Sequence, residues 1–330
     1  MPFAKTVRTL STAVLAGVLA AASAAAGAQA AYPDRPITFV SPFPAGGATD
    51  LVARVLAQKL AAAMGQPIVV DNRAGATGLI GEAYVMRAKP DGLTVLIASN
   101  SSHLLAPLLQ AKKPFDPVAD FEPITLLGSY PLALKVHPSV PARSVQELVA
   151  LARKSPGKLN FGSVGAGSVT HLAGEQFKLK AGIDITHVPY KGTAALATAL
   201  ISGEIEMQFD SVGSTKPLVD AGRARALAVT GDRRSPLLPQ VPTLAEAGIP
   251  GVDAIVWVGA FAPRGTPPAI VARLQREMAK ALHEDADVRR VFAENGMDIV
   301  GNDSQAFGHA LRREQQGWAD MVSAAHIDLQ

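Results

Sequence analysis

The chain has 330 residues, with 31 lysines and arginines against 28 aspartates and glutamates, and no cysteine. Without thiols there is no disulfide, no thiolate metal site, no cysteine nucleophile and no cysteine-linked lipid anchor. The near balance of charge, with no basic stripe interleaved with aromatics, argues against a nucleic-acid partner.

Residues 1–30 read as an export signal. Lys5 and Arg8 form a short basic start, Leu10 to Ala26 is an Ala-rich apolar run, and Ala28-Gln29-Ala30 is a small-residue cleavage signal. A run of about 17 residues rich in alanine is short and weak for a permanent membrane span. Cleavage near Ala30 is therefore expected, with a soluble periplasmic product. Removing Lys5 and Arg8 from the 31 basic residues leaves 29 against 28 acids, close to neutral. The 300 residues that remain exceed one comfortable core and predict two domains.

Along the mature chain, apolar β-branched runs alternate with helical patterns, the signature of βαβ units. The first strand is Ile37–Ser41. A helix follows in which Leu51, Val52, Val55, Leu56, Leu60 and Met64 line one face and Gly65 closes it. Further strands are predicted at Ile68–Val70, Leu93–Ala98, Leu159–Gly162, Ile185–Pro189, Ile205–Phe209 and Ala224–Thr230. Ser144-Val145-Gln146-Glu147 is a capping box for a helix to Lys154, and Thr243-Leu244-Ala245-Glu246 repeats the signal for a short helix ended by Gly248. Helices at Pro267–His283, Asp285–Asn295 and Asp303–Ala325 close the chain. Phe121–Val136 and Val252–Phe261 are long extended apolar runs, and each is expected to pass from one domain to the other. The expected fold class is therefore α/β and two-lobed, each lobe a mostly parallel sheet flanked by helices, with two crossover strands as hinge. Lobe 1 would hold residues 31–128 and 254–330, and lobe 2 residues 129–253.

The chemistry points to holding an anion. Ser41-Pro42-Phe43-Pro44-Ala45-Gly46-Gly47-Ala48-Thr49-Asp50 joins the first strand to the first helix. Glycines at such a turn bring backbone amides close to a ligand, and the helix start adds unpaired amides and a positive dipole end. Phe43, Ala45, Gly46, Gly47 and Thr49 are candidate binding positions, while Asp50 is expected to cap the helix. A second turn, Phe161 to Ser168, resembles the first and offers Ser163, Gly165, Gly167 and Ser168. A dinucleotide fingerprint there would need a third glycine where Thr170 stands. A third glycine-rich turn, Asn72 to Gly78, offers Thr77; a plain structural turn with Arg73 paired to a surface acid is an equal alternative. Ser99 and Asn100 end a strand where open α/β sheets bind ligands. Tyr190 and Lys191 end another. Asp210 follows a further strand and reads as a cap, a hinge partner or a ligand group. His171 reads as packing or capping, with a ligand contact as the alternative.

Catalytic patterns are not supported. There is no Gly-x-Ser-x-Gly elbow, and the seven histidines lack zinc-binding spacing, so no catalytic residue, metal or cofactor is expected. An exported hydrolase using Ser168, His171 and Lys191 is the weaker enzyme reading.

The order of these pieces resembles the Bug family, the TctC-like extracytoplasmic receptors of tripartite tricarboxylate transporters. The resemblance is carried by Tyr32-Pro33-x-Arg35-Pro36-Ile37, Pro44-x-Gly46-Gly47-x-x-Asp50, Asn72-Arg73-x-Gly75-Ala76-x-Gly78-x-x-Gly81, Ala88-x-Pro90-Asp91-Gly92, Phe121-x-Pro123, Asn160-Phe161-Gly162-Ser163, Pro189-Tyr190-Lys191-Gly192 and Pro242-Thr243-x-x-Glu246-x-Gly248. It implies a monomeric Venus-flytrap protein that closes on a small carboxylate solute and passes it to membrane permease subunits. It also implies that the Phe43–Thr49 and Ser163–Ser168 loops hold the carboxylates. Thr77 stands where the family often has glycine, adding a hydroxyl and a Cβ. A receptor that reports closure to a signalling partner is the remaining alternative.

Overall fold

The computed structural model of the chain describes residues 32–325; the expected export signal lies outside the described residues. Three strands open the fold: β1 (Ile37–Ser41), β2 (Ile68–Asn72) and β3 (Thr94–Ser99). They pair in parallel in the order β2-β1-β3, with Ile37 opposite Ile68 and Thr38 opposite Thr94. Helix α1 (Ala48–Met64) covers them with Val52, Leu56, Leu60 and Met64 inward, and Gly65 in the left-handed conformation ends it. Helix α2 (Leu79–Met86) follows β2, and a π-helical turn, Ser101–Leu105, follows β3.

β4 (Phe121–Val136) is the long crossing strand, with 16 residues. Its first part pairs antiparallel with β9 (Ile255–Pro263), from Phe121–Pro263 to Pro131–Ile255. Its last part, from Leu132, pairs with β7 (Met207–Ser211) and β8 (Arg225–Val229). Pro131, which has no N–H to donate, stands where the partners change. Around the far half lie β5 (Asn160–Ser163) and β6 (Thr186–Pro189), parallel to one another, with β5 also parallel to β7. Their helices are α3 (Val145–Lys154), α4 (Val169–Ala181), α5 (Thr193–Ser202) and α6 (Val212–Asp220). The chain then returns along β9 into α7 (Pro268–Glu284), α8 (Ala286–Glu294), the short β10 (Asp298–Ile299) and α9 (Ser304–Ala325). Phe307 and Leu311 of α9 pack into the first lobe's core with Phe121, Trp257 and Phe261.

The fold is two-lobed α/β with mixed pairing: strands within each lobe run parallel, and the crossing strands pair antiparallel. Most predicted elements stand within two residues of their expected bounds. One differs. The Thr243–Glu246 capping box does form, since Glu246 N donates to Thr243 Oγ1 at 3.1 Å and Thr243 N to Glu246 Oε2 at 2.8 Å. Yet residues 244–248 make turns, not a helix. Leu244 N is taken by Val229 O at 2.9 Å, which holds this segment against the end of β8.

Candidate functional site

The β1–α1 loop is fixed from within. Asp50, 3% exposed, accepts from Gly46 N at 3.0 Å, Arg54 Nε at 2.9 Å and Asn72 Nδ2 at 2.8 Å. Asn72 Nδ2 also donates to Phe43 O at 3.0 Å. Burial alone would raise the Asp50 carboxyl, but the bonds from Arg54, Gly46 and Asn72 hold it below its ordinary value. The acid therefore pins the loop from within, and no side chain caps the first amides of α1.

On the opposite side, Ser168 caps α4, its hydroxyl accepting from His171 N and donating to Gly165 O at 2.7 Å. Thr170 Oγ1 accepts from Val164 N at 3.1 Å. Ser163 is spent inside the lobe, on Gly165 O at 3.0 Å and His187 Nε2 at 2.7 Å. His171 accepts from Gly167 N at 3.2 Å through Nδ1 and stacks on His187 at 3.8 Å. Burial, with a smaller contribution from Lys178, pushes His171 down to about 4. Burial, with a smaller contribution from the neighbouring His171, pushes His187 down to about 3. Both rings are neutral packing groups at neutral pH.

The turns on the two sides of this site touch directly. Thr77 Oγ1 donates to Ala166 O at 2.8 Å, and Val169 N, at the start of α4, donates to Ser101 Oγ at 3.0 Å. The turn carrying Ser101 is anchored by buried His103, which bonds Glu82 Oε2 and Pro117 O, each at 2.9 Å, and stacks on Phe261. Gly165 meets Thr77 so closely that a Cβ would stand 3.0 Å from its hydroxyl, and a Cβ on Gly192 would stand 3.2 Å from Pro44. Both glycines also have positive φ.

Three adjoining cavities follow this cleft. The innermost, about 60 Å³, is lined by Phe43, Pro44, Gly47, Ala48, Thr49, Ser99 and Ser101 from one side. Val164, Thr170, Gly192, Thr193, Asp210 and Ser211 face them, with Tyr130, Leu132 and Val256 from the crossing strands. A neighbouring space of about 210 Å³ includes Gly46, Asp50, Arg54 and Asn295. The outer mouth, about 640 Å³, includes Phe43, Thr77, Gly165, Tyr190 and Lys191. Tyr190 donates to Glu204 Oε1 at 2.8 Å, and burial together with that acid pushes its phenol up to about 12.

Of the candidate positions, Phe43, Gly47, Thr49, Ser99 and Asp210 thus meet in the inner cavity. Gly46 borders the neighbouring space, and Thr77, Gly165, Tyr190 and Lys191 border the mouth. Ala45, Asn100, Ser163, Gly167, Ser168 and His171 line none of the three. Asn100 serves instead as a strut, donating to Ile255 O at 2.9 Å and Glu314 Oε1 at 3.4 Å. Trp257 also bonds Glu314, through Oε2 at 2.7 Å. Tyr130, Ser101, Thr170, Thr193 and Ser211 line the inner cavity without having been candidates.

The starts of four helices converge on this inner cavity. Gly47, Ser168, Gly192 and Ser211 are the N-caps of α1, α4, α5 and α6, and each cap or its next two residues contribute to the wall. Each start carries a partial positive charge, while some of the first amides are already taken: those of Val169 and His171 by Ser101 and Ser168, and that of Ser214 by Ser211. No lysine or arginine lines the cavity among the described residues. The arrangement can desolvate a carboxylate with fixed dipoles and small hydroxyls.

The description "Tripartite tricarboxylate transporter family receptor" (TctC) matches residues 52–326. Protein BugT of Bordetella pertussis is 36% identical over 292 residues, covering 88% of this chain and 89% of BugT. Two solved structures of Rhodopseudomonas palustris proteins superpose closely. Rpa4515 with adipate has a TM-score of 0.85 and 37% identity, covering 89% of this chain and 98% of that one. MatC with bound malate has a TM-score of 0.83 and 32% identity, covering 88% and 100%. With a family match over most of its length and full-length relatives of this similarity, the chain belongs to the TctC family of tripartite tricarboxylate transporter receptors.

Proposed function

We propose that this chain is a periplasmic receptor that captures one small carboxylate solute between its lobes and hands it to the membrane subunits of a tripartite transporter. The observation that carries this reading is the meeting of four helix starts in one cavity that has no basic side chain in its wall. Neutral donors suit a solute that must be released again, because no ion pair has to be broken at delivery. Adipate and malate, the acids bound to the two R. palustris relatives, support the ligand class. The lobes are taken as residues 31–128 with 254–330, and 129–253, turning on β4 and β9. The mature protein starts near Ala31 and acts as a monomer that docks on permease subunits. The Phe43–Thr49 loop and the walls at Thr170 and Thr193 hold the solute's carboxylate.

The test is a titration of the mature protein, unfolded and refolded to strip any carried ligand. Mono-, di- and tricarboxylates, aromatic acids and acidic amino acids are screened by thermal shift and then by calorimetry. One small anion is expected to raise the melting temperature by several degrees when present at about 100 times its Kd. If none of them stabilises the protein, the reading fails.

A further inference from the structure

The inner cavity contains an acid as well as donors. Asp210, 3% exposed, ends β7 and lines the wall beside Ser211. Its Oδ2 accepts from Lys135 Nζ at 3.0 Å and its Oδ1 from Ser211 N at 2.8 Å. Lys135 is fully buried and does not line the cavity. Gln208, with its amide oriented to satisfy both of its atoms, accepts from the same Nζ at 3.0 Å and donates to Leu196 O at 3.1 Å. The ammonium is therefore held by protein groups. Each Asp210 oxygen accepts one of these bonds and keeps a further lone pair.

Tyr130 stands in the same wall, on β4, and is 7% exposed. Its hydroxyl has no hydrogen-bond partner among the described residues. Burial, with the Asp210 charge nearby, raises its phenol well above the ordinary range, so the hydroxyl keeps its proton. Tyr130 lines the cavity, so its hydroxyl can meet a polar group of a solute there. A solute carboxylate set against Asp210 would face a like charge in a place that water screens poorly. A hydroxyl or an ammonium there would donate to Asp210 and engage Tyr130. Sites built around such a bond discriminate strongly against the analogue that lacks the group.

Resting on the carboxylate reading above, we propose that Asp210 and Tyr130 select solutes that carry a hydrogen-bond donor, a hydroxyl or an ammonium, on the carbon chain next to the captured carboxylate. The helix starts would then set the charge class of the solute, and this pair its substitution.

The experiment is calorimetry on refolded mature protein with carbon-matched sets of three to six carbons: an unsubstituted acid, its hydroxy acid and its amino acid, such as succinate, malate and aspartate. The wild type is expected to bind one donor-bearing member at least tenfold more tightly than the matched unsubstituted acid. Whether the hydroxy or the amino member wins identifies the donor. Asp210→Asn is expected to bring that ratio to within about threefold. Should loss of the Lys135 partner prevent Asp210→Asn from folding, Tyr130→Phe decides, and it is expected to lower the ratio at least threefold. A wild-type ratio near one, or a ratio unchanged in the folded variants, overturns the proposal. Failure of every acid to bind the wild type is a different result: it removes the carboxylate reading and this proposal with it.

Discussion

His171 and His187 stack in the second lobe with Phe161 at 5.0 Å from His187 and the Ser163 hydroxyl bonded to His187. Their environment is mainly apolar, with Glu175 3.8 Å from His171 and Lys178 beyond it. Both rings titrate well below an ordinary histidine, at about 4 and about 3. In the unfolded chain each takes up a proton near pH 6.5. Below that value the unfolded state binds more protons than the folded one, so stability falls with falling pH until the folded values are reached. The melting temperature is therefore expected to drop between pH 6.5 and 5, while Glu175, whose carboxyl burial raises, works in the opposite sense. His187→Gln should flatten that slope, whatever it does at pH 7. A melting temperature that stays level from pH 7 to 5 would contradict the assignment. Asp50 makes a related point: its carboxylate is bonded by Gly46, Arg54 and Asn72 and so fixes the shape of the β1–α1 loop.

One hydroxyl extends the link between the two crossing strands beyond the end of their ladder. Thr230, fully buried just after β8, accepts from Leu132 N at 2.8 Å and donates to Ala254 O at 2.6 Å, while its own N–H reaches Leu132 O at 2.8 Å. It thus ties β4 to the segment entering β9 at the place where the chain passes between lobes. Thr230→Val keeps the shape and leaves Leu132 N and Ala254 O without a partner, which costs about 1–3 kcal/mol for each such buried group. Chemical denaturation should show a loss of about 2–6 kcal/mol for the two groups together, and Thr230→Ser should recover most of it. The strands and helices themselves were legible in the sequence, because β-branched runs and 3.6-residue spacing are local signals. Thr230 carried no such signal; it reads as the last residue of a strand, and its role arises only when residues 132 and 254 come together. The Thr243–Gly248 segment failed for a physical reason. A capping box starts a helix, but five residues before a glycine cannot offset nucleation, and Val229 O captures Leu244 N first. Tyr130 was hidden in a different way: on an apolar strand it reads as core, and only the register shift between Leu126 and Gly128 and the exchange of partners at Pro131 fix which way that stretch faces. The glycine turns were visible because their chemistry is sequence-local.

At the scale of the molecule, the two proposed lobes would meet through atoms of the protein itself. Thr77 reaches Ala166 from a turn in which Ala76 and Thr77 both have positive φ, at 48° and 52°. Such a conformation costs a β-branched residue roughly 1–2 kcal/mol. Thr77→Gly removes that strain and also the bond between lobes. Its melting temperature is expected not to fall, while its Kd for the solute rises about 2- to 10-fold, the equivalent of one hydrogen bond, by calorimetry. An unchanged Kd would place the bond outside the closing step. The bonds of Thr77 to Ala166 and of Val169 to Ser101 also have a kinetic meaning. On the closure proposed above, these bonds would hold part of the receptor shut without solute, and the association rate measured by stopped flow is then expected to level off at high solute concentration at the frequency with which the clasp lets go. A rate that keeps rising in proportion to solute would contradict this.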